Sequence, residues 1–247
     1  MRRVKLFLLL MTFITAACSP WEASRKKAFY HSQMGESFLR EGNITSALVE
    51  FTEAEKITPD DPDLLYYLGV TYYKKGKFEL AEKKYLQALE LRPTFSSARN
   101  HLGVNYMEMQ RWDDAINQLR QVTDDLFYQD QESAHVNLGL AYLGKGDYQK
   151  AMQVMRTTVN NYPKNPTTRV TMGRVYFALE KTELAIVEYR RALELAKDYV
   201  YAHYYLGLSY MKIKMADIAR AEFLEVIRLA PDSELGRQSR EYLDLLK

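Results

Sequence analysis

The sequence predicts an all-α fold, a right-handed superhelical solenoid of six helical hairpins closed by a C-terminal capping helix. Three observations carry this reading. Glycine recurs at Gly35, Gly69, Gly103, Gly139, Gly173 and Gly207, at intervals of 34, 34, 36, 34 and 34 residues. Each is followed three positions later by an aromatic (Phe38, Tyr72, Tyr106, Tyr142, Tyr176, Tyr210) and twelve positions later by an alanine (Ala47, Ala81, Ala115, Ala151, Ala185, Ala219). Prolines fall only at the joints: Pro59, Pro93, Pro163 and Pro231 end second helices. Pro62 and Pro166 occupy the first turn of the next helix, where a missing N–H costs nothing, and Pro20 precedes the array. A period of this length marks a stacked array whose units each bury too little surface alone.

Residues 1–17 read as a secretory leader. Arg2, Arg3 and Lys5 make a positive start, Leu6 to Thr15 an apolar run of roughly ten residues, and Ala16-Ala17 the small residues of a cleavage site. The run is too short for an ordinary membrane span. Cys18, the single cysteine, stands where a lipoprotein signal places the residue that is cleaved before and acylated, and the segment resembles a lipobox with Thr15 in place of the usual aliphatic residue. That resemblance implies acyl chains on Cys18, each holding the chain to a membrane by about 0.8 kcal/mol per buried CH₂. Ser19, in place of the aspartate that retains lipoproteins in the inner membrane, implies the outer membrane of a Gram-negative cell, facing the periplasm. Residues 18–27 read as a lipidated tether reaching about 30 Å if fully extended. Its Arg25-Lys26-Lys27 cluster reads as a solvated helix start or as a weak attraction for anionic headgroups.

The repeats follow at 28–61, 62–95, 96–129, 132–165, 166–199 and 200–233, with the capping helix at 234–247. In the second repeat, Leu68-Gly69, Tyr72, Ala81, Tyr85, Ala88 and Pro93 match the tetratricopeptide pattern of paired antiparallel helices, and the others follow it. Gly42, Gly76 and Gly146 mark turns between paired helices, and Asp61 and Asn165 read as N-caps. In the third repeat two extra residues and Phe127, where proline would stand, make the segment Asp124-Asp125-Leu126-Phe127-Tyr128-Gln129-Asp130 a long loop, a bend or an exposed contact. The last helix can turn Leu235, Tyr242 and Leu246 inward and Arg237, Arg240, Glu241 and Asp244 to water.

The formal charge of +2 belongs to the leader. Its removal takes three bases and no acid, leaving −1. Lys and Arg are interspersed with Glu and Asp, which disfavours nucleic acid as a partner. His31, His135 and His203 share the fourth position of a first helix, and with His101 they read as packing residues. No His-Glu-x-x-His, paired cysteines, phosphate loop or nucleophile elbow occurs. The chain reads as a non-enzyme needing no metal or cofactor, and as a monomer apart from its partner.

In tetratricopeptide arrays the second, fifth, ninth and twelfth residues of each first helix face a concave groove. Here these include Phe29, Leu39, Tyr66, Val70, Tyr73, Asn100, Val104, Met107, Val136, Leu140, Leu143, Val170, Phe177, Tyr201, Tyr204, Leu208 and Met211. So apolar a face implies a docked peptide or helix unless tighter curvature buries it. Tyr66 and Tyr73 are the expected anchors, because interface energy concentrates in aromatics. The lysine–asparagine carboxylate clamp of chaperone-binding domains is missing, its places holding Ser32 with Glu36, Tyr66 with Val70, and Asn100 with Val104.

The lipobox, short tether, six repeats and closing helix together resemble the PilF/PilW family of outer-membrane lipoproteins. The most specific parts are the long connector from Val122 to Tyr128 and Asn137-Leu138-Gly139-Leu140. The resemblance implies a pilotin of type IV pilus biogenesis, with Cys18 as sorting anchor and the early groove gripping the secretin. Two other readings stay open: an envelope scaffold recruiting peptidoglycan hydrolases or proteases, and an accessory subunit of an outer-membrane insertion or export complex.

Overall fold

The computed structural model describes residues 20–246, so the leader and Cys18 lie outside the described residues. The described residues form thirteen helices and no strand: α1 (Pro20–Arg40), α2 (Ile44–Glu55), α3 (Pro62–Lys74), α4 (Phe78–Leu91), α5 (Ser96–Glu108), α6 (Trp112–Thr123), α7 (Gln131–Lys145), α8 (Tyr148–Asn161), α9 (Pro166–Ala178), α10 (Thr182–Leu195), α11 (Val200–Lys212), α12 (Ala216–Leu229) and α13 (Glu234–Leu245). They make six hairpins and a closing helix. Successive first helices, α1, α3, α5, α7, α9 and α11, pack on one another, whereas no comparable packing joins successive second helices. The array therefore curves with its first helices on the inside.

Residues 20–27 are the first two turns of α1 rather than an extended tether. Nothing between Trp21 and Lys27 breaks a helix. Glu22 in the first turn complements the helix dipole and lies 3.9 Å from Lys26 one turn on.

Each hairpin is closed by a small-on-large contact. A Cβ added to Gly69 would lie 2.5 Å from the Tyr85 ring, and one added to Gly139 would lie 2.5 Å from Met155 Sδ. The large partner recurs as Phe51, Tyr85, Leu119, Met155, Tyr189 and Phe223, all fully buried. Bulk rather than a hydroxyl is what the place requires: the Tyr85 and Tyr189 hydroxyls are buried without a hydrogen-bond partner, phenylalanine serves at Phe51 and Phe223, and leucine and methionine serve at Leu119 and Met155. The repeated alanines, from Ala47 to Ala219, are wholly buried as well.

Within each hairpin the turn places one residue in the left-handed region. Gly42, Gly76 and Gly146 take it at φ 78, 67 and 84°, and at the equivalent places Gln110, Glu180 and Lys214 take it at 57, 61 and 61°. Asp61 and Asn165 cap α3 and α9: the Asp61 carboxylate accepts from the Asp63 and Leu64 amides, and the Asn165 side-chain carbonyl accepts from Thr167.

The shared fourth position links the two helices of a hairpin. His31 Nδ1 donates to Glu50 at 2.7 Å and His203 Nδ1 to Glu222 at 2.7 Å. Arg99 and Arg169 do the same with Gln118 and Glu188, at 2.9 and 3.0 Å. His135 departs from the scheme and donates within its own helix, to the Gln131 carbonyl at 2.8 Å.

The buried core runs unbroken from Leu65 to Val175, across the lengthened connector, so the extra residues introduce no gap in packing. A second cluster joins the fifth and sixth hairpins to α13, where Tyr242 stacks on Phe223 at 5.1 Å and Leu235 and Leu246 are half-buried. Arg237, Arg240, Glu241 and Asp244 are exposed.

Candidate protein-binding groove

The inner face is a ladder of three rows. At the fifth position, Ser32 and Tyr66 are half-buried, while Asn100, Val136, Val170 and Tyr204 are buried. At the ninth, Glu36, Val70, Val104, Leu140, Arg174 and Leu208 are all half-buried, as are Leu39, Tyr73, Met107, Leu143, Phe177 and Met211 at the twelfth. Phe29 and Tyr201, at the second position, are exposed on the rim.

This placement corrects part of the expected groove. Val136 and Tyr204 keep only 5 and 7 % of their surface and belong to the core. Adjacent first helices pack tightly enough to close over the fifth position from the third repeat onward. Tyr204 is also tied to the cap, its hydroxyl donating to Gln238 Oε1 at 2.6 Å. The expected anchors are largely spent on neighbours. The Tyr66 ring lies within ring-contact distance of Tyr67, Tyr85, Phe95 and His101, and burial pushes its hydroxyl pKa up to about 12. Tyr73 packs on Phe78, and its hydroxyl donates to Glu108 Oε1 at 3.2 Å; burial first and then Glu108 push its pKa up to about 12.

The open floor is therefore the ninth and twelfth rows. Of these twelve side chains only Glu36 and Arg174 are charged. Arg174 stands outside the apolar set read from the sequence, although it holds the ninth position of the fifth repeat. Its guanidinium lies 5.2 Å from the centre of the Tyr205 ring, and among the described residues no carboxylate pairs with it. Tyr205 in turn stacks on Tyr189 at 5.7 Å. A hollow of about 270 Å³ opens here between Leu143, Tyr148, Arg174, Phe177, Tyr205 and Leu208. A cation on an aromatic face, walled by aliphatic side chains, is the arrangement that retains a carboxylate once water is displaced.

A larger hollow of about 540 Å³ lies at the other end, between the start of α1 and the start of α3. Its lining mixes Arg25 and Lys26 with Glu22, Glu36, Asp61 and Asp63. Such a mixed rim selects a ligand less sharply than one charge on an apolar floor. Among the described residues no group of His, Cys, Asp or Glu side chains is placed to hold a metal ion, and no helix is long and apolar enough to cross a membrane.

Comparison with known proteins bears on the array as a whole. Models of the tetratricopeptide repeat match residues 35–76, 62–95, 101–166, 173–214 and 201–233. BBSome complex member BBS4 of Bos taurus is 28% identical over 142 residues, 58% of this chain and 27% of that one. The type IV pilus assembly protein PilF of Pseudomonas aeruginosa is 23% identical over 145 residues, 59% of this chain and 58% of that one. The chain thus spans about a quarter of the first relative's length and just over half of the second's. Among solved structures, that of Pseudomonas aeruginosa PilF superposes with TM-score 0.69 at 20% identity, covering 89% of this chain and 99% of that one. That of PilW, a type IV pilus biogenesis factor, gives 0.75 at 14%, covering 85 and 97%. At these identities the superpositions speak for the fold. With repeat models matching along most of its length and the same helical hairpins in space, the chain belongs to the tetratricopeptide repeat family.

Proposed function

We propose that this chain is a non-enzymatic scaffold of the Gram-negative envelope, anchored to the outer membrane by acylated Cys18, which grips a protein partner along its inner face. Within that role we assign it to type IV pilus biogenesis, holding the secretin and assisting its targeting and assembly. The observation that carries the binding role is the half-buried ninth and twelfth rows, apolar from Val70 to Met211 except for Arg174. A contiguous apolar face kept by a folded chain is most simply a docking face. The pilus assignment is supported by the leader with its single cysteine and by the likeness to PilF and PilW.

The test is a pull-down from detergent-solubilised envelope with the full lipoprotein as bait, beside an Arg174→Glu, Phe177→Ala variant. Both side chains stand on the open floor, so the variant disturbs packing less than Tyr66→Ala would. Recovery of a secretin with the parent and its loss with the variant supports the reading. Recovery of hydrolases or export proteins with no secretin overturns the pilus role and leaves the groove; equal recovery by both baits overturns the groove.

A further inference from the structure

We propose a second docking point outside the groove: the α6–α7 connector displays Leu126 and Phe127 as an apolar knob for a protein partner whose apolar pocket is rimmed by Lys or Arg. Phe127 and Leu126 are 93 and 88 % exposed, more than any other large apolar side chain among the described residues; Leu245 follows at 76 %. The neighbouring loop residues are fastened down. The Asp125 carboxylate accepts from Ser96 Oγ at 2.5 Å and from the Phe127 amide at 3.0 Å. The Asp125 carbonyl accepts from the Tyr128 amide at 3.1 Å and from the Gln131 side chain. Tyr128 is half-buried, with its hydroxyl directed toward Ser97 and Asn100 on α5.

A loop held at Asp125, Tyr128 and Gln131 that still turns two consecutive apolar side chains to water is preorganised, and a partner meets little ordering cost in binding it. The core passes beneath this loop without a break, so the two extra residues are not needed to fill it. Charge selects the occupant. Residues 124–130 hold three acids, Asp124, Asp125 and Asp130, and no base. An anionic lipid surface would repel this segment, whereas a basic-rimmed protein pocket complements it. The inference is independent of the groove and of the pilus assignment.

The experiment places p-benzoylphenylalanine at Phe127 in the full chain, in the cells that make it, and maps the cross-linked peptide after irradiation. Asp124→Lys is run in parallel, and purified Leu126→Ala, Phe127→Ala protein is melted to show that the fold survives. The expected result is one captured protein, cross-linked at an apolar peptide flanked by Lys or Arg. Its yield should fall at least tenfold with Asp124→Lys and persist with Arg174→Glu. Cross-links confined to lipid, to a second copy of this chain, or spread over many proteins and unmoved by Asp124→Lys overturn the proposal. Absence of any cross-link overturns it as well.

Discussion

In the second repeat the ring of Tyr85 lies against Gly69, and Tyr66 and Tyr73 occupy the inward positions; in the fourth, Met155 takes the first place and Val136, Leu140 and Leu143 the others. The two hairpins share one template and use it differently. Where the inward residues are tyrosines, their rings reach across to the next hairpin and become its packing. Where they are aliphatic, Leu140 and Leu143 stop half-buried at the surface and leave a shallow floor, while Val136 at the fifth position is core. A repeat position thus specifies direction, and the packing of the neighbouring hairpin decides whether its side chain serves stability or stays available for a partner.

The sharpest way to break this comparison is to truncate both sides of it. Tyr66→Ala should cost about 3 kcal/mol, because it empties a cluster of four neighbouring rings. Leu140→Ala, half-buried on the floor, should cost about 1 kcal/mol. Urea midpoints of the two variants decide it; equal losses would mean that Tyr66 is not committed to packing.

Filling the glycine contacts comes next. Gly69→Ala drives a methyl group into a rigid, fully buried ring and should cost about 2 kcal/mol. Gly139→Ala meets Sδ and Cγ of Met155, a side chain with more rotatable bonds than a ring, and the gain of about 1 kcal/mol in helix propensity offsets part of the strain. Thermal melts showing the two variants alike would remove the distinction between ring and thioether.

A smaller effect separates the turns. Lys214→Gly should stabilise by about 1 kcal/mol by relieving a left-handed backbone at φ 61°, and Gly76→Ala should destabilise by a similar amount. A Lys214→Gly protein with an unchanged melting temperature would show that the tight turn is not strained.

The smallest effect is electrostatic. Burial, against the rings of Tyr66 and Tyr85, lowers the pKa of His101 below its usual 6.5, with Lys74 adding to the shift. The folded protein therefore binds this proton less readily than the unfolded chain. Its contribution is complete above pH 6.5 and is lost as pH falls below that toward the folded value. His203 is the reverse case: its hydrogen bond to Glu222 raises its pKa, so its contribution is complete below about 6.5 and is lost as pH rises through the folded value. His101→Gln should flatten the stability profile below pH 6.5, and His203→Gln should lessen the fall in stability as pH rises above 6.5. Denaturation at a series of pH values reads both slopes.

Much of this was legible in the residues. A 34-residue period of glycine, aromatic and alanine leaves little freedom, because only glycine and alanine admit two helices at close approach and only a large side chain fills the space beside them. The turn glycines and the capping residues Asp61 and Asn165 follow from equally local chemistry. The groove was read less well. Register named the inward positions, but whether Tyr66 or Tyr204 faces a partner or a neighbouring hairpin depends on how far one helix leans over the next. That lean is the sum of many contacts, none visible at one position. Arg174 holds an inward register position, but a basic residue there carries no apolar signal that sets it apart from a solvated face. Trp21 to Lys27 carried no helix-breaking residue, yet their proximity to Cys18 suggested a tether.

By itself the sequence determined the hairpin unit, its number and its closing helix, because backbone conformation and size complementarity act over one or two turns and repeat wherever the residues repeat. Tertiary structure alone decided the curvature, and with it which inward side chains are buried, which form the open floor around Arg174, and that Leu126 and Phe127 stand in water. Those outcomes depend on packing between units, where the identity of a neighbour 34 residues away determines whether an apolar side chain finds cover.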